Sequence, residues 1–197
     1  MRKFPVLLII VLLLCNFSIL SAQNKQIAIG EIYDGTFTVE SLDKLRSMDN
    51  GKQYTILNID RSLGISTIEK YDYKTQKKLE TIVSSSSSVP YFTSYEFSED
   101  ESKLLLATAL EPIYRRSTLG YFYVYDLKSK KISAVSNLKI QEPSLSPDGS
   151  KVAYVYNNNI FVWDIAANYT KQLTLDGVKN KIINGITDWV YEEEFAF

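Results

Sequence analysis

The sequence predicts an all-β fold, an incomplete β-propeller of about three blades. Short runs of alternating polar and apolar residues, such as residues 53–59, are separated by turn residues, which is the pattern of strands with one buried face. A unit of strand, turn and strand recurs along the chain. The composition agrees, since 14 Tyr and 9 Phe among 197 residues favour pleated surfaces.

The strongest indication of a propeller is internal repetition. A four-stranded pattern occurs in residues 95–135 and 143–175, with a fainter copy in residues 48–82. In the two clear copies, Ser98 and Ser146 begin matching acidic turns. A period of about 40–50 residues is typical of propeller blades, and closure needs roughly four or more of them, so we expect an unfinished propeller. A β-sandwich with a similar number of strands is the alternative, but sandwiches lack such repetition.

The residue types that are missing restrict the chemistry. The chain has no His, so it cannot supply a Ser-His-Asp or Cys-His centre by itself, and it lacks the commonest metal ligand. Its single cysteine, Cys15, lies in the N-terminal apolar run, so we expect no disulfide within the mature chain. We expect no cofactor and no metal. Because 22 basic and 23 acidic residues nearly balance, nothing favours nucleic acid or an anionic membrane as a partner.

Residues 1–22 have the pattern of a secretory signal peptide. Two basic residues precede an apolar run over residues 4–14, and a small-residue exit ends at Ala22, after which we expect cleavage. A retained membrane anchor is the alternative, because the stretch up to Leu20 is nearly long enough to span a bilayer. The preferred interpretation is export to the periplasm or the outside of a bacterial cell, with residues 23–197 forming the propeller part.

Aligning the two clear copies reveals an insertion. The serine of the acidic turn and the aspartate that ends the third strand are 28 positions apart in the middle copy, from Ser98 to Asp126. In the last copy they are 18 positions apart, from Ser146 to Asp164. The extra residues fall in 111–120, whereas residues 157–159 make the same connection as a minimal turn. Long loops on a regular scaffold often carry function, and this one holds Arg115 and Arg116 at its centre. A solvated surface is the alternative interpretation of the two arginines.

Residues 188–194 end in three consecutive glutamates with aromatic neighbours. We expect the aromatic neighbours to be buried and to hold the glutamates in place; they are Trp189, Tyr191, Phe195 and Phe197. Adjacent side chains of a strand point to opposite faces, so two of the carboxylates can face one ligand only in a helical turn or an irregular loop. Two fixed carboxylates suit an ammonium group better than a metal here, because no His is present. A charged turn facing solvent is the alternative.

The motif in residues 188–194 resembles the double-glutamate motif of the dipeptidyl peptidase IV branch of the prolyl oligopeptidase family. Residues 184–187, the Ser-Pro-Asp-Gly turn at 146–149, and residues 114–117 followed by 124–127 are similar to the same branch. The resemblance implies an N-terminal eight-bladed propeller and a C-terminal α/β-hydrolase domain that carries the catalytic Ser, Asp and His. This sequence would then hold about three of the blades and no hydrolase domain, which would be its partner in the full-length protein.

The resemblance also implies roles for individual residues. The last two glutamates of the motif, Glu193 and Glu194, would bind the free α-ammonium of a peptide substrate. Arg115 would bind a substrate carbonyl near that ammonium and steady the glutamates. Animal members of the branch have His after this arginine, where the present chain has Arg116.

A secreted serine exopeptidase follows from this resemblance, one that removes N-terminal dipeptides with Pro or Ala at the second position. Members of the family often form homodimers, so a second copy of the chain is a further expected partner. Two alternatives stay open. One is a periplasmic propeller that binds peptides or proteins without cleaving them. The other is a relative of prolyl tripeptidyl peptidases, in which the glutamates lie one residue farther from the nucleophile.

Overall fold

The structure is a computed structural model that describes residues 27–39 and 45–195. It divides into two compact units, Met1–Ser41 and Leu42–Phe197. The described part of the first unit contains one short helix, α1 (Ile29–Tyr33), whose side chains are largely exposed. The predicted signal peptide lies outside the described residues. Within the ranges that are described, no helix has both the length and the apolar character needed to cross a membrane.

The described part of the second unit contains three antiparallel four-stranded sheets, each with its strands in chain order. Blade 1 comprises β1 (Leu45–Ser47), β2 (Gln53–Asp60), β3 (Ile65–Asp72) and β4 (Lys78–Ser84). Blade 2 comprises β5 (Ser94–Phe97), β6 (Lys103–Pro112), β7 (Thr118–Asp126) and β8 (Ile132–Ala134). Blade 3 comprises β9 (Gln141–Leu145), β10 (Lys151–Tyr156), β11 (Asn159–Asp164) and β12 (Tyr169–Gln172), and helix α2 (Trp189–Glu193) follows. The predicted partial propeller is therefore confirmed.

The first turn of blades 2 and 3 is the acidic turn of the sequence repeat. Ser146 Oγ donates to Asp148 Oδ1 at 2.5 Å and accepts the backbone N–H of Lys151 at 2.9 Å. In blade 2 the Oγ of Ser98 donates in the same way to Asp100 Oδ1, at 2.6 Å. Such side-chain bonds to nearby backbone groups favour turns over regular structure. The matching serines recognised in the sequence are thus structural residues of equivalent turns.

A second turn, between the third and fourth strands, recurs in every described blade. It begins at an aspartate whose Oδ1 accepts the backbone N–H of the residue three positions later. The aspartates are Asp72, Asp126 and Asp164, with donor–acceptor distances of 2.7, 2.7 and 2.9 Å. The faint first copy of the repeat is therefore a blade with the same turn chemistry.

The core lies between neighbouring blades. Leu104 and Leu106 of β6 pack with the blade 1 residues Leu57 and Ile68, whereas Leu105 packs toward blade 3. Side chains of a strand alternate between its two faces, and both faces of β6 are covered. This explains why β6 is a continuous apolar run rather than an alternating one.

The insertion lengthens a hairpin rather than forming a long loop. Strand pairing between β6 and β7 continues through Glu111 and Pro112, so only residues 113–117 connect the two strands. The register shifts between Thr108 and Glu111, where Ala109 has a φ of +46°. The inserted residues thus project the arginines of the connection from an extended strand pair.

Gly120 makes the shift in register possible. A Cβ at this position would lie 2.6 Å from Leu110 Cδ2 and 3.0 Å from the carbonyl oxygen of Thr108. Gly120 also exchanges backbone hydrogen bonds with Ile140, at 3.1 and 2.9 Å. The base of the hairpin is therefore tied to the segment that leads into blade 3.

Candidate functional site

Glu192 and Glu193 lie on the short helix α2, and Glu194 caps its C-terminal end, so one of the two predicted geometries, the helical turn, is present. Asp188 caps α2, because its side chain accepts the backbone N–H of Tyr191 at 2.9 Å. Aspartate is among the preferred residues at this position, since its oxygen satisfies an amide without a helical partner. Gly185, three residues earlier, has a φ of +76°, a conformation that favours glycine. Consecutive glutamates on this helical turn differ in direction by about 100° rather than 180°.

The expected burial is wrong for the three aromatic neighbours that the structure describes, whereas Phe197 lies outside the described residues. The exposed fractions of Trp189, Tyr191 and Phe195 are 50%, 62% and 56%. Tyr191 and Phe195 contact each other with ring centroids 5.8 Å apart, as residues four positions apart do in a helical turn. The inward-facing residue of α2 is instead Glu192, which is 7% exposed. The helix is thus held by its acidic side, and the aromatic rings face outward.

Glu192 binds the backbone of the inserted hairpin. Its Oε1 accepts the N–H groups of Arg116 and Ser117, each at 2.7 Å. Burial raises the pKa of Glu192, but the hydrogen bonds from the backbone of Ser117 and Arg116 outweigh that effect and hold the pKa below its usual value. The family resemblance implies no role for Glu192. Nothing in the sequence distinguishes it from the two glutamates that follow.

Glu193 and Arg115, two of the predicted site residues, are in direct contact. Glu193 Oε1 accepts the backbone N–H of Arg115 at 2.7 Å, and its Oε2 lies 3.0 Å from Arg115 Nε. The Glu193 side chain is 15% exposed, whereas that of Arg115 is 66% exposed. The guanidinium thus has a fixed carboxylate on one side and solvent on the other.

Glu194, the third predicted site residue, lies at the C-terminal end of α2. Its backbone N–H donates to the carbonyl of Val190, and its side chain is exposed. Among the described residues, its carboxylate has no ion pair with a basic side chain. The three glutamates therefore differ in environment, from buried in Glu192 to solvent-exposed in Glu194.

Three successive backbone N–H groups, those of Arg115, Arg116 and Ser117, converge on two neighbouring carboxylates. Hydrogen bonds to ionised acceptors are among the stronger ones in proteins, so this contact fixes the hairpin tip against α2. A groove of about 1480 Å³ adjoins the contact and is lined in part by Ile113 and Trp189. The described residues include no group of three His, Cys, Asp or Glu arranged to hold a metal ion. The arrangement is suited to bind a cation through carboxylates and a carbonyl through the guanidinium.

Residues 98–197, which contain both the inserted hairpin and α2, match the family described as the dipeptidyl peptidase IV (DPP IV) N-terminal region. The chain belongs to this family. The family predicted from the motif is thereby confirmed, and the match covers half of the chain.

Relatives of the DPP IV N-terminal region include human prolyl endopeptidase FAP, which is 31% identical over 175 residues, or 86% of this chain and 22% of the human protein. The probable dipeptidyl peptidase 4 of Aspergillus clavatus is 38% identical over 104 residues, or 51% of this chain and 13% of that protein. The crystal structure of Porphyromonas gingivalis dipeptidyl peptidase 4 superposes with a TM-score of 0.76 at 36% identity, covering 87% of this chain and 25% of that one. The chain thus spans about a quarter or less of the length of these relatives.

Proposed function

We propose that this chain is the N-terminal, substrate-binding part of a secreted serine exopeptidase that removes dipeptides from peptides with a free N-terminus, preferring Pro or Ala at the second position. The observation that carries the proposal is the contact between Arg115 and Glu193 beside the exposed carboxylate of Glu194. Relatives named dipeptidyl peptidase 4 support it, and all three residues lie within 98–197, the part of the chain that matches the family.

The chemistry of the three groups suits the N-terminus of a peptide. An α-ammonium carries three donors and a full positive charge, and Glu193 and Glu194 supply carboxylate oxygens for it. The contact of Arg115 with Glu193 uses Nε, which is one of five N–H donors of the guanidinium. The other donors suit the first carbonyl of the same peptide. The positive charge of Arg115 also offsets part of the negative charge of the two glutamates.

The proposed binding mode explains why two residues would be removed and no more. A charged N-terminus held at a fixed site places the scissile bond at a set distance from the nucleophile. A peptide with a blocked N-terminus would leave the carboxylates without their ammonium partner, and sites built around polar partners reject such analogues strongly. We assign the catalytic Ser, Asp and His to a hydrolase domain of the full-length protein, since the present sequence contains no His. Export through the segment at residues 1–22 and formation of a homodimer are parts of the same proposal.

The test uses the full-length protein and a Gly-Pro chromogenic amide as substrate. We expect Glu193→Gln and Glu194→Gln each to raise KM at least about tenfold or to abolish activity, because each removes a charge that faces the ammonium. Circular dichroism should show that the variants stay folded. Glu99→Gln is the matched control, since Glu99 is an exposed glutamate of the first turn of blade 2.

Unchanged cleavage by both variants would disprove the proposal. The released fragments, measured by mass spectrometry on a longer peptide, identify the reaction. Two-residue products are expected. Three-residue products would instead assign the chain to a tripeptidyl peptidase, and binding without cleavage would assign it to a peptide-binding propeller.

A further inference from the structure

Glu192 is buried on the side of α2 that faces the tip of the inserted hairpin. Its side chain reaches the hairpin tip and accepts two backbone amides there, each at 2.7 Å. Removing a carboxylate from water is costly unless hydrogen bonds replace the lost solvation. The amides of Arg116 and Ser117 provide them, so Glu192 stays buried only while the hairpin tip keeps its present position.

The residue before these two amides is Arg115. Its own backbone N–H donates to Glu193 at 2.7 Å. The path of the backbone through residues 115–117 therefore determines the position from which the Arg115 side chain extends. Two of the three amides that fix this path are held by Glu192. Because β6 ends at Pro112 and β7 begins at Thr118, backbone pairing across the tip itself consists of one hydrogen bond, from the N–H of Ile113 to the carbonyl of Ser117 at 2.9 Å.

We infer that Glu192 is a positioning residue of the substrate anchor: through two backbone hydrogen bonds it fixes Arg115 relative to Glu193 and Glu194. This inference rests on the proposed function, because it deepens the role of the same site. Glu192 acts through its acceptor geometry. A single oxygen, Oε1, accepts both amides, and the carbonyl oxygen of glutamine can occupy the same place.

The geometry separates Glu192 from its two neighbours in an experiment. In the full-length protein, Glu192→Gln keeps an acceptor at the right distance, and we expect KM for the Gly-Pro chromogenic amide to rise less than about threefold. Glu192→Asp keeps the charge but withdraws the acceptor by one methylene group, and Glu192→Leu removes it. For these two we expect KM to rise roughly ten- to a hundredfold, as a misplacement of about 1 Å can cause, while kcat falls less.

The pattern across the variants decides the matter. A KM near the wild-type value in Glu192→Gln, together with a strongly raised KM in Glu192→Asp, supports the inference. It is overturned by a wild-type KM in Glu192→Asp, or by a KM increase in Glu192→Gln as large as that in Glu192→Asp. The Gln and Asp variants suffice for this comparison if Glu192→Leu does not fold.

The outcome is distinguishable from a failure of the proposed function. If Glu193→Gln and Glu194→Gln lose activity while every Glu192 variant behaves like the wild type, only the positioning role is wrong. If the variants at positions 193 and 194 keep full activity, the ammonium anchor itself is wrong. Glu99→Gln and Glu99→Asp are the matched controls for Glu192, and both should leave KM unchanged.

Discussion

The side chain of Asp148 accepts hydrogen bonds from Ser146 Oγ at 2.5 Å and from the backbone N–H of Ser150 at 3.0 Å. These bonds favour the ionised form. The hydroxyl of Ser146 contributes most and Ser150 next, and together they lower the pKa of Asp148 to about 2. Asp100 in blade 2 has a similar environment, and its pKa is likewise lowered to about 2. The repeated turn thus depends on an ionised aspartate in both blades.

This dependence predicts how stability varies with pH. The pKa of Asp148 is lower in the folded state than its ordinary value of 3.8, so its contribution is fully present above about pH 4 and is lost as the pH falls toward 2. We expect Asp148→Asn to lower Tm at neutral pH, and the difference from the wild type to shrink between about pH 4 and pH 2. Thermal unfolding followed by circular dichroism measures both. A difference that stays constant over this range would show that the charge of Asp148 is not involved.

The residue scale also shows what the sequence could indicate about the site. The resemblance paired Arg115 with Glu193, and the two side chains are in contact. The role of Glu192 could not be predicted, because its partners lie 75 and 76 positions away and three identical side chains compete for them. The aromatic residues were predicted to be buried because apolar rings usually are. Here a buried carboxylate with backbone donors takes the inward position instead.

At the scale of the elements, the length of the β6–β7 hairpin in blade 2 determines how far its tip, residues 113–117, projects from the blade. The ladder continues past the register shift only because position 120 lacks a side chain. The sequence revealed the insertion by its length. It did not reveal that half of residues 111–120 are strand, because the supporting hydrogen bonds between Gly120 of β7 and Ile140, just before β9, join residues 20 positions apart. The blades were easier to predict, since each turn is stabilised by residues within a few positions of one another.

Gly120→Ala tests the geometry of the hairpin. The added methyl group would lie 2.6 Å from Leu110 Cδ2 and 3.0 Å from the backbone oxygen of Thr108, so the strands have to move. We expect a loss of roughly 1–3 kcal/mol in the free energy of unfolding, as is typical of overpacking, together with a higher KM because the tip shifts. Chemical denaturation and steady-state kinetics of the full-length protein measure the two effects.

A matched control is available in α1. Gly30 has a helical environment in which an added Cβ meets nothing within 4 Å. Gly30→Ala should therefore leave stability unchanged or slightly higher, because alanine is the better helix former by about 1 kcal/mol. If Gly120→Ala were as well tolerated as Gly30→Ala, the register shift would not depend on glycine.

At the scale of the whole molecule, three blades leave apolar side chains exposed. In blade 1 they include Ile65, Tyr73 and Leu79. In blade 3 they include Leu173 and Leu175, which follow β12. Exposed apolar groups next to unpaired strand edges favour self-association. In a longer chain, further blades can cover such groups.

We therefore expect residues 23–197, produced alone, to self-associate in a concentration-dependent manner, whereas the full-length protein stays at one defined mass. Size-exclusion chromatography with light scattering at several concentrations distinguishes the two. A monodisperse, folded monomer of the isolated segment would contradict the prediction and would show that three blades form a stable unit.

The contact between α2 and the hairpin tip has a consequence for the order of events during protein synthesis. The amides and carboxylates that meet there are separated by 75 to 78 positions in the chain. Blades 1 and 2 can pair their strands while the rest of the polypeptide is still in the ribosome, since domains form progressively from the N-terminus. The contact between these groups cannot form until the whole of blade 3 and α2 have emerged. The proposed anchor for a peptide N-terminus would therefore form late in translation, after much of its scaffold is in place.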